Sequence, residues 1–170
     1  MDLAKYIRDV PDFPKQGIIF KDITPLLADP AALDEAVRLL AEPYRGQGVQ
    51  AVAAIESRGF IFGGAVARLL GAGFIPLRKP GKLPWKIVRK QYALEYGTDA
   101  IEVHADAVGS GCRVLMMDDV LATGGTMAAA CELVSGLGAR IVGVAFLVEL
   151  AFLKGRAKLP GYEVRSLIRY

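Results

Sequence analysis

Val114-Leu115-Met116-Met117-Asp118-Asp119-Val120-Leu121-Ala122-Thr123-Gly124-Gly125-Thr126 is the stretch on which the fold turns. An apolar strand, Val114 to Met117, runs into two adjacent acids, Asp118 and Asp119. A turn with a Gly124-Gly125 pair follows, and Thr126 opens a helix that should run to Leu137, with Gly138 as its C-terminal cap. Such a junction is an anion cradle. Glycines let the backbone approach a phosphate and aim several N–H groups at it. The helix N-terminus adds a favourable dipole, and the hydroxyls of Thr123 and Thr126 are further donors. Carboxylates repel phosphate, so Asp118 and Asp119 must hold something else: the vicinal hydroxyls of a sugar, or a bridging Mg²⁺. The pattern is neither a Walker A loop, lacking Gly-Lys-Ser/Thr, nor a GxGxxG turn. It asks for a ligand with a phosphate a few ångströms from a diol.

Working outward, strand, loop, helix and strand recur. Asp29-Pro30 reads as a helix start, and Leu33, Ala36, Val37 and Leu40 continue at helical spacing to about residue 42. A buried strand is expected over 50–55, a buried helix over 60–70 and short strands over 74–77 and 141–148. That rhythm means an α/β fold with a central, mainly parallel sheet flanked by helices. Ligands of such sheets sit at the carboxyl ends of the strands, so the loops after Ile55 and Met117 are the places to look.

The bulk numbers bound the answer without deciding it. A chain of 170 residues suits one domain, 1–170, with no linker or repeat. A net charge of +3 is too weak to argue for nucleic acid. The two cysteines, Cys112 and Cys131, form no CxxC pair, which argues against a zinc site or disulfide scaffold and fits a cytoplasmic protein. No signal-peptide pattern and no membrane-spanning run is visible.

Residues 78–104 break the rhythm. They carry Arg78, Lys79, Lys82, Lys86, Arg89 and Lys90, and the second half alternates like a hairpin turning near Gly97-Thr98. A basic hairpin in a compact domain reads as a lid or arm. The loop Glu56-Ser57-Arg58-Gly59 offers a guanidinium that can fork two bonds to an anion and a glycine that permits close approach. Residues 13–27 read as an irregular, apolar-rich cap over the core.

Taken together, these segments resemble the type I phosphoribosyltransferases, and adenine phosphoribosyltransferases in particular, from Phe13 to the region of Leu150 and Arg156. The resemblance implies that fold, with an N-terminal hood over 1–28 and a flexible hairpin lid over 78–104. It implies that Ala122, Thr123, Gly124, Gly125 and Thr126 bind the 5-phosphate of phosphoribosyl diphosphate or AMP, and that Asp118 and Asp119 contact the ribose hydroxyls. Glu56, Ser57, Arg58 and Gly59, with a cis peptide between non-proline residues, and the cations Arg78 and Lys82 would serve the diphosphate. Leu94-Glu95-Tyr96-Gly97 is similar to the family's catalytic loop. There Glu95 would stabilise the oxocarbenium-like sugar or, when protonated, hydrogen-bond adenine N7, and Tyr96 would assist the lid. In the hood, Phe20 would stack on the base, Ile19 would line its pocket and the backbone of Lys21 would read its edge; many relatives carry arginine at that position. The implied reaction moves 5-phosphoribosyl to N9 of adenine, giving AMP and diphosphate for purine salvage. Mg²⁺ would arrive with phosphoribosyl diphosphate, with no protein ligand assigned to it, and the protein would be a homodimer. Two alternatives stand beside it: a transferase for another base, which should show a different hood, and a phosphoribosyl-diphosphate sensor, which should carry an added DNA-binding module. His104, Cys131 and the basic turn 154–158 read as an ordinary strand residue, a core thiol and a solvated turn.

Overall fold

A computed structural model describes residues 1–94 and 96–170. In chain order, β1 (Arg8–Pro11) and β2 (Ile19–Asp22) lead into α1 (Thr24–Ala28) and α2 (Pro30–Ala41). Then come β3 (Ala51–Ile55), α3 (Gly59–Leu70), β4 (Gly73–Leu77), β5 (Ile87–Ala93) and β6 (Thr98–His104). The chain ends with β7 (Arg113–Leu121), α4 (Gly125–Gly136), β8 (Arg140–Glu149) and β9 (Val164–Arg169). Five strands form the central sheet in the order β4-β3-β7-β8-β9, every neighbouring pair parallel.

Alternation along the strands sorts side chains onto two core layers. Val52, Ala54, Leu115, Met117, Ala145 and Leu147 face α2 and α3. Ala53, Ile55, Val114, Met116, Val144 and Phe146 face α4 on the other side. Both faces are covered, which is why β3 can be apolar throughout and wholly buried. The helices begin and end on local signals. The Asp29 side chain accepts from Ala32 N at 2.8 Å with Pro30 at the first helical position, and Gly138 follows α4 in the left-handed region.

Three expectations need correction. The N-terminal segment is not irregular: β1 and β2 form an antiparallel hairpin, Arg8 opposite Asp22 and Pro11 opposite Ile19. Pro11 and the charges hid the alternation that marks a strand. β9 was not foreseen, because arginines interrupt its apolar residues, as suits an edge strand exposed along one side. Nor is the 78–104 hairpin wholly a surface arm. Its second strand buries Ile101 and Val103 in the layer that α4 covers, and Val88 and Tyr92 of the first strand pack against the same layer. Arg78 ties the hairpin to the end of β4 through a two-way backbone pairing with Glu102.

The strand carrying the acids also runs further than the apolar pattern suggests. β7 pairs with β8 as far as Leu121 opposite Glu149, whereas its other neighbour, β3, stops at Met117. Asp118 and Asp119 therefore project where the sheet has lost one strand, and a cleft opens beside them.

Candidate active site

A cleft of about 470 Å³ lies at the carboxyl ends of β3 and β7. The hood contributes Ile19, Phe20 and Lys21, and the loop after β3 contributes Glu56, Ser57 and Arg58. β7 and the following turn contribute Asp118, Asp119, Ala122 and Thr126, and Lys79 closes the far side. A smaller hollow of about 90 Å³ adjoins it, lined by Thr123, Gly124 and Gly125 together with Asp118, Ala122 and Thr126. The two share a wall, so one extended ligand can lie with its anionic end in the glycine turn and its apolar end under the hood.

The turn is shaped by contact with a distant segment. Gly124 has φ +81°, and a Cβ placed there would overlap the Gly155 carbonyl oxygen and lie 3.0 Å from its carbon. Gly155 is constrained in return: its own Cβ would overlap the Ala122 carbonyl oxygen and meet Leu121 Cδ1 at 2.9 Å. Two backbones thus pass with no room for side chains, which turns the N-terminus of α4 and its amides toward the hollow. Gly155 is held by its neighbour. Arg156 donates from Nε and Nη2 to the buried Glu149, both at 2.7 Å, and from Nη1 to Val164 O at 2.7 Å. The 154–158 segment is therefore no mere solvated turn but the backing of the glycine turn. Glu149, Gly155 and Arg156 went unrecognised in the sequence because no local motif marks a tertiary clamp.

The acids differ in surroundings. Desolvation pushes the Asp118 carboxyl well above its ordinary value, and the neighbouring Asp119 charge pushes the same way. Asp118 Oδ1 accepts from Asp119 N at 2.8 Å, and a Cβ on Gly59 would come within 2.8 Å of the same oxygen, so α3 packs directly on this acid. Asp119, buried, is ion-paired with Arg58. Desolvation pulls the Arg58 guanidinium down, but the hydrogen bond and charge of Asp119 outweigh it and the net shift is upward. The guanidinium also lies 5.6 Å from the centre of the Phe20 ring. The cation of the 56–59 loop and an acid of β7 thus neutralise each other across the cleft.

A second charge cluster flanks it. Glu56 accepts from Lys82 Nζ and from the backbone N–H of Lys79, both at 2.6 Å, and Arg78 Nε lies 3.3 Å away as an ion pair without a hydrogen bond. Desolvation works to raise the Glu56 carboxyl, but the hydrogen bonds from Lys82 and the Lys79 N–H, with the charges of Lys82 and Arg78, leave it lowered overall. Its role is to gather cations at the cleft edge; as a carboxylate it cannot bind an anion itself. Lys79 is paired with Asp99 and reaches Tyr92 Oη at 2.9 Å. Under the hood, Phe13 and Phe20 meet edge to face at 5.2 Å. The Lys21 ammonium is taken up by Asp9 at 2.6 Å and lies over the Tyr170 ring, which leaves its backbone as the group it can offer the cleft.

The model of the phosphoribosyl transferase domain matches residues 22–166. An adenine phosphoribosyltransferase of Methylococcus capsulatus is 57% identical over 168 residues, covering 99% of this chain and 98% of that one. The chain belongs to the adenine phosphoribosyltransferase family. Solved structures agree with that membership. The adenine phosphoribosyltransferase of Thermoanaerobacter pseudethanolicus superposes with a TM-score of 0.96 at 50% identity, covering 99% of this chain and 98% of that chain. That of Saccharomyces cerevisiae, solved with adenine and an imino-altritol bisphosphate, gives 0.91 at 40% identity, covering 97% of this chain and 96% of that one.

Within this adenine phosphoribosyltransferase fold, the residues singled out in the sequence fall into three groups. Ile19, Phe20, Lys21, Glu56, Ser57, Arg58, Asp118, Asp119, Ala122 and Thr126 line the main cleft, and Thr123, Gly124 and Gly125 the adjoining hollow. Arg78 and Lys82 stand behind Glu56, while Gly59 packs against Asp118. Tyr96 is exposed, and Glu95 lies outside the described residues. The Glu56–Ser57 peptide is cis. His104 ends β6 with its Nε2 accepting from Trp85 N at 3.3 Å, and Cys131 is buried, which pushes its thiol up to about 12.

Proposed function

We infer that this chain transfers the 5-phosphoribosyl group of phosphoribosyl diphosphate to N9 of adenine, releasing AMP and diphosphate. The observation that carries the reading is the single cleft that joins an aromatic hood, two carboxylates, a backbone phosphate cradle and a bank of cations, in a chain of this family. Phe20 and Ile19 would hold the base, and Asp118 with Asp119 the ribose diol. The amides from Thr123 to Thr126 would hold the 5-phosphate. Arg58, once released from Asp119, would fork onto the diphosphate, with Lys79, Lys82 and Arg78 nearby. Diphosphate gains charge as the C1–O bond breaks, so cations fixed at the cleft edge stabilise the transition state more than the ground state. As that bond breaks, the ring bears oxocarbenium charge and N9 of adenine attacks C1 from the hood side. Glu95 would face that charge or hold adenine N7.

Magnesium fits as a companion of the substrate. Among the described residues no group of three or more His, Cys, Asp or Glu could cage a metal. The cleft instead offers Asp118 and Asp119 to an ion otherwise bound by phosphates and water, the donor set that Mg²⁺ favours. When bound, it would offset charge on the diphosphate oxygens. The two free cysteines suit the reducing cytoplasm, and among the described residues no helix is long and apolar enough to cross a membrane. A homodimer is part of the proposal; sedimentation should find twice the chain mass, and a monomer at assay concentrations would refute it.

The test is a base competition. Phosphoribosyl diphosphate and Mg²⁺ are supplied with adenine, hypoxanthine, guanine, uracil and orotate, and each nucleotide is followed by chromatography. AMP should dominate. Comparable formation of another nucleotide would reassign the base, and no nucleotide at all would leave a binding protein of the same fold.

A further inference from the structure

The hydroxyl of Tyr92, on β5, stands where three functional groups meet. Thr126 Oγ1 lies 3.1 Å from it and Lys79 Nζ 2.9 Å, and Asp99 Oδ2 lies 3.3 Å away. The ring flanks the glycine turn as well, since a Cβ on Gly125 would meet Tyr92 Cδ2 at 3.8 Å. One phenol therefore touches two successive residues of the phosphate loop and a cation that lines the cleft. The rest of the ring packs against the α4-side core layer, a place that phenylalanine would fill equally well. What tyrosine adds is the hydroxyl.

We propose that Tyr92 is a positioning residue, whose hydroxyl orients the Thr126 proton toward the bound 5-phosphate and links Lys79 to the phosphate loop. A threonine hydroxyl has one proton to give. In the structure Thr126 donates it to Tyr92 Oη, and Tyr92 points its own at Asp99. A phosphate dianion is an acceptor only, so Thr126 must turn its proton to the ligand. Tyr92 then turns its O–H to Thr126 Oγ1, which still has free lone pairs. Lys79 continues to donate to Tyr92 and remains paired with Asp99. No covalent bond changes; two hydroxyl rotors reverse. The result is a chain of donors running Lys79, Tyr92, Thr126, phosphate, with a cation at its head and each link polarising the next. Asp99 is the alternative acceptor for the Tyr92 hydroxyl. The same contacts bind the 87–104 hairpin to the loop that holds the ligand.

The proposal rests on the reading that Thr126 contacts the 5-phosphate, and the experiment separates the two. Tyr92→Phe, Thr126→Val and the double variant are compared with the wild type by calorimetric titration with AMP and with adenosine, and each protein's Tm is recorded. Tyr92→Phe should weaken AMP about three- to tenfold, the scale of a lost hydrogen bond in a charged network. Adenosine affinity and Tm should stay near wild type. The double variant should bind AMP no more weakly than Thr126→Val alone, because the phenol acts through that hydroxyl. In a Thr126→Ser background, which keeps a hydroxyl, Tyr92→Phe should again weaken AMP. Unchanged AMP affinity in Tyr92→Phe overturns the proposal, as do losses that multiply in the double variant or are shared equally by adenosine. If Thr126→Val binds AMP like the wild type, the phosphate-loop reading itself fails.

Discussion

Gly124→Ala puts the proposed phosphate loop to a severe test, because its effect can be worked out from two separate terms. The first is local. Gly124 holds φ +81°, and an L residue in the left-handed region costs about 1–2 kcal/mol. The second is tertiary. The new methyl would overlap the Gly155 carbonyl oxygen and sit 3.0 Å from its carbon and 3.1 Å from its Cα, and all three atoms are backbone, so no side chain can swing aside. Restoring ordinary contact requires the turn to retreat by about 1 Å. The amides from Thr123 to Thr126 move with it, and a misplacement of that size costs about a hundredfold where geometry is critical. AMP affinity should therefore fall between ten- and a hundredfold in calorimetric titration, while adenosine, lacking the phosphate, changes little. Tm should drop by about 2–8 °C for the local term. Gly155→Ala, pressing on Ala122 O from the other side, should reproduce the phenotype. A Gly124→Ala protein with wild-type Tm and wild-type AMP affinity would refute the reasoning.

Three other variants probe the remaining parts. Asp118 is raised by desolvation and by Asp119, so its charged form destabilises the fold as pH rises through its native pKa. Asp118→Asn should thus be more stable than the wild type at neutral pH, by about 1 kcal/mol, and lose that lead below pH 3.8, while binding AMP more weakly; a destabilised variant with full affinity would contradict this. Glu149 is lowered, chiefly by the Arg156 hydrogen bond, so its stabilisation is complete above the ordinary value of 4.5 and is lost as pH falls through the native pKa. Glu149→Gln should cost about 1–2 kcal/mol at pH 7 in denaturant melts, allowing for the partly exposed Arg156, and the gap should close in acid; a gap independent of pH would remove the clamp from the account. Glu95→Gln should lower kcat at least tenfold with substrate affinities nearly intact, and unchanged kcat would exclude Glu95 from the chemistry.

How much of this was legible depends on how far apart the cooperating residues lie. In the 114–126 stretch the strand, acids, glycines and helix start are contiguous and each obeys local rules, so its order was legible, although β7 carries the acids within it and runs on to Leu121. The α/β rhythm followed from the same apolar periodicity. The hood hairpin escaped because Arg8-Asp9-Val10-Pro11 carries no apolar alternation, its partner strand supplying the pairing instead. The Arg58–Asp119 ion pair joins residues 61 apart, and Thr126 meets Tyr92 across 34. Gly155 matters only because Gly124 passes beside it. Such contacts are set by the way loops converge at the sheet edge, and no spacing rule within one segment encodes them. The burial of Ile101 and Val103 was hidden for a related reason: the basic residues of the first strand dominated the reading of a hairpin whose second strand belongs to the core.

The central claim is that one turn grips the phosphate while the paired acids take the sugar, and a crystal structure with AMP bound tests it most directly. The account predicts phosphate oxygens within hydrogen-bond distance of the backbone amides from Thr123 to Thr126 and of the Thr126 hydroxyl. It predicts the ribose hydroxyls on Asp118 and Asp119, the base against Phe20, and Arg58 parted from Asp119. Phosphate density away from that turn, or an Arg58–Asp119 pair left intact with the sugar bound elsewhere, would contradict it.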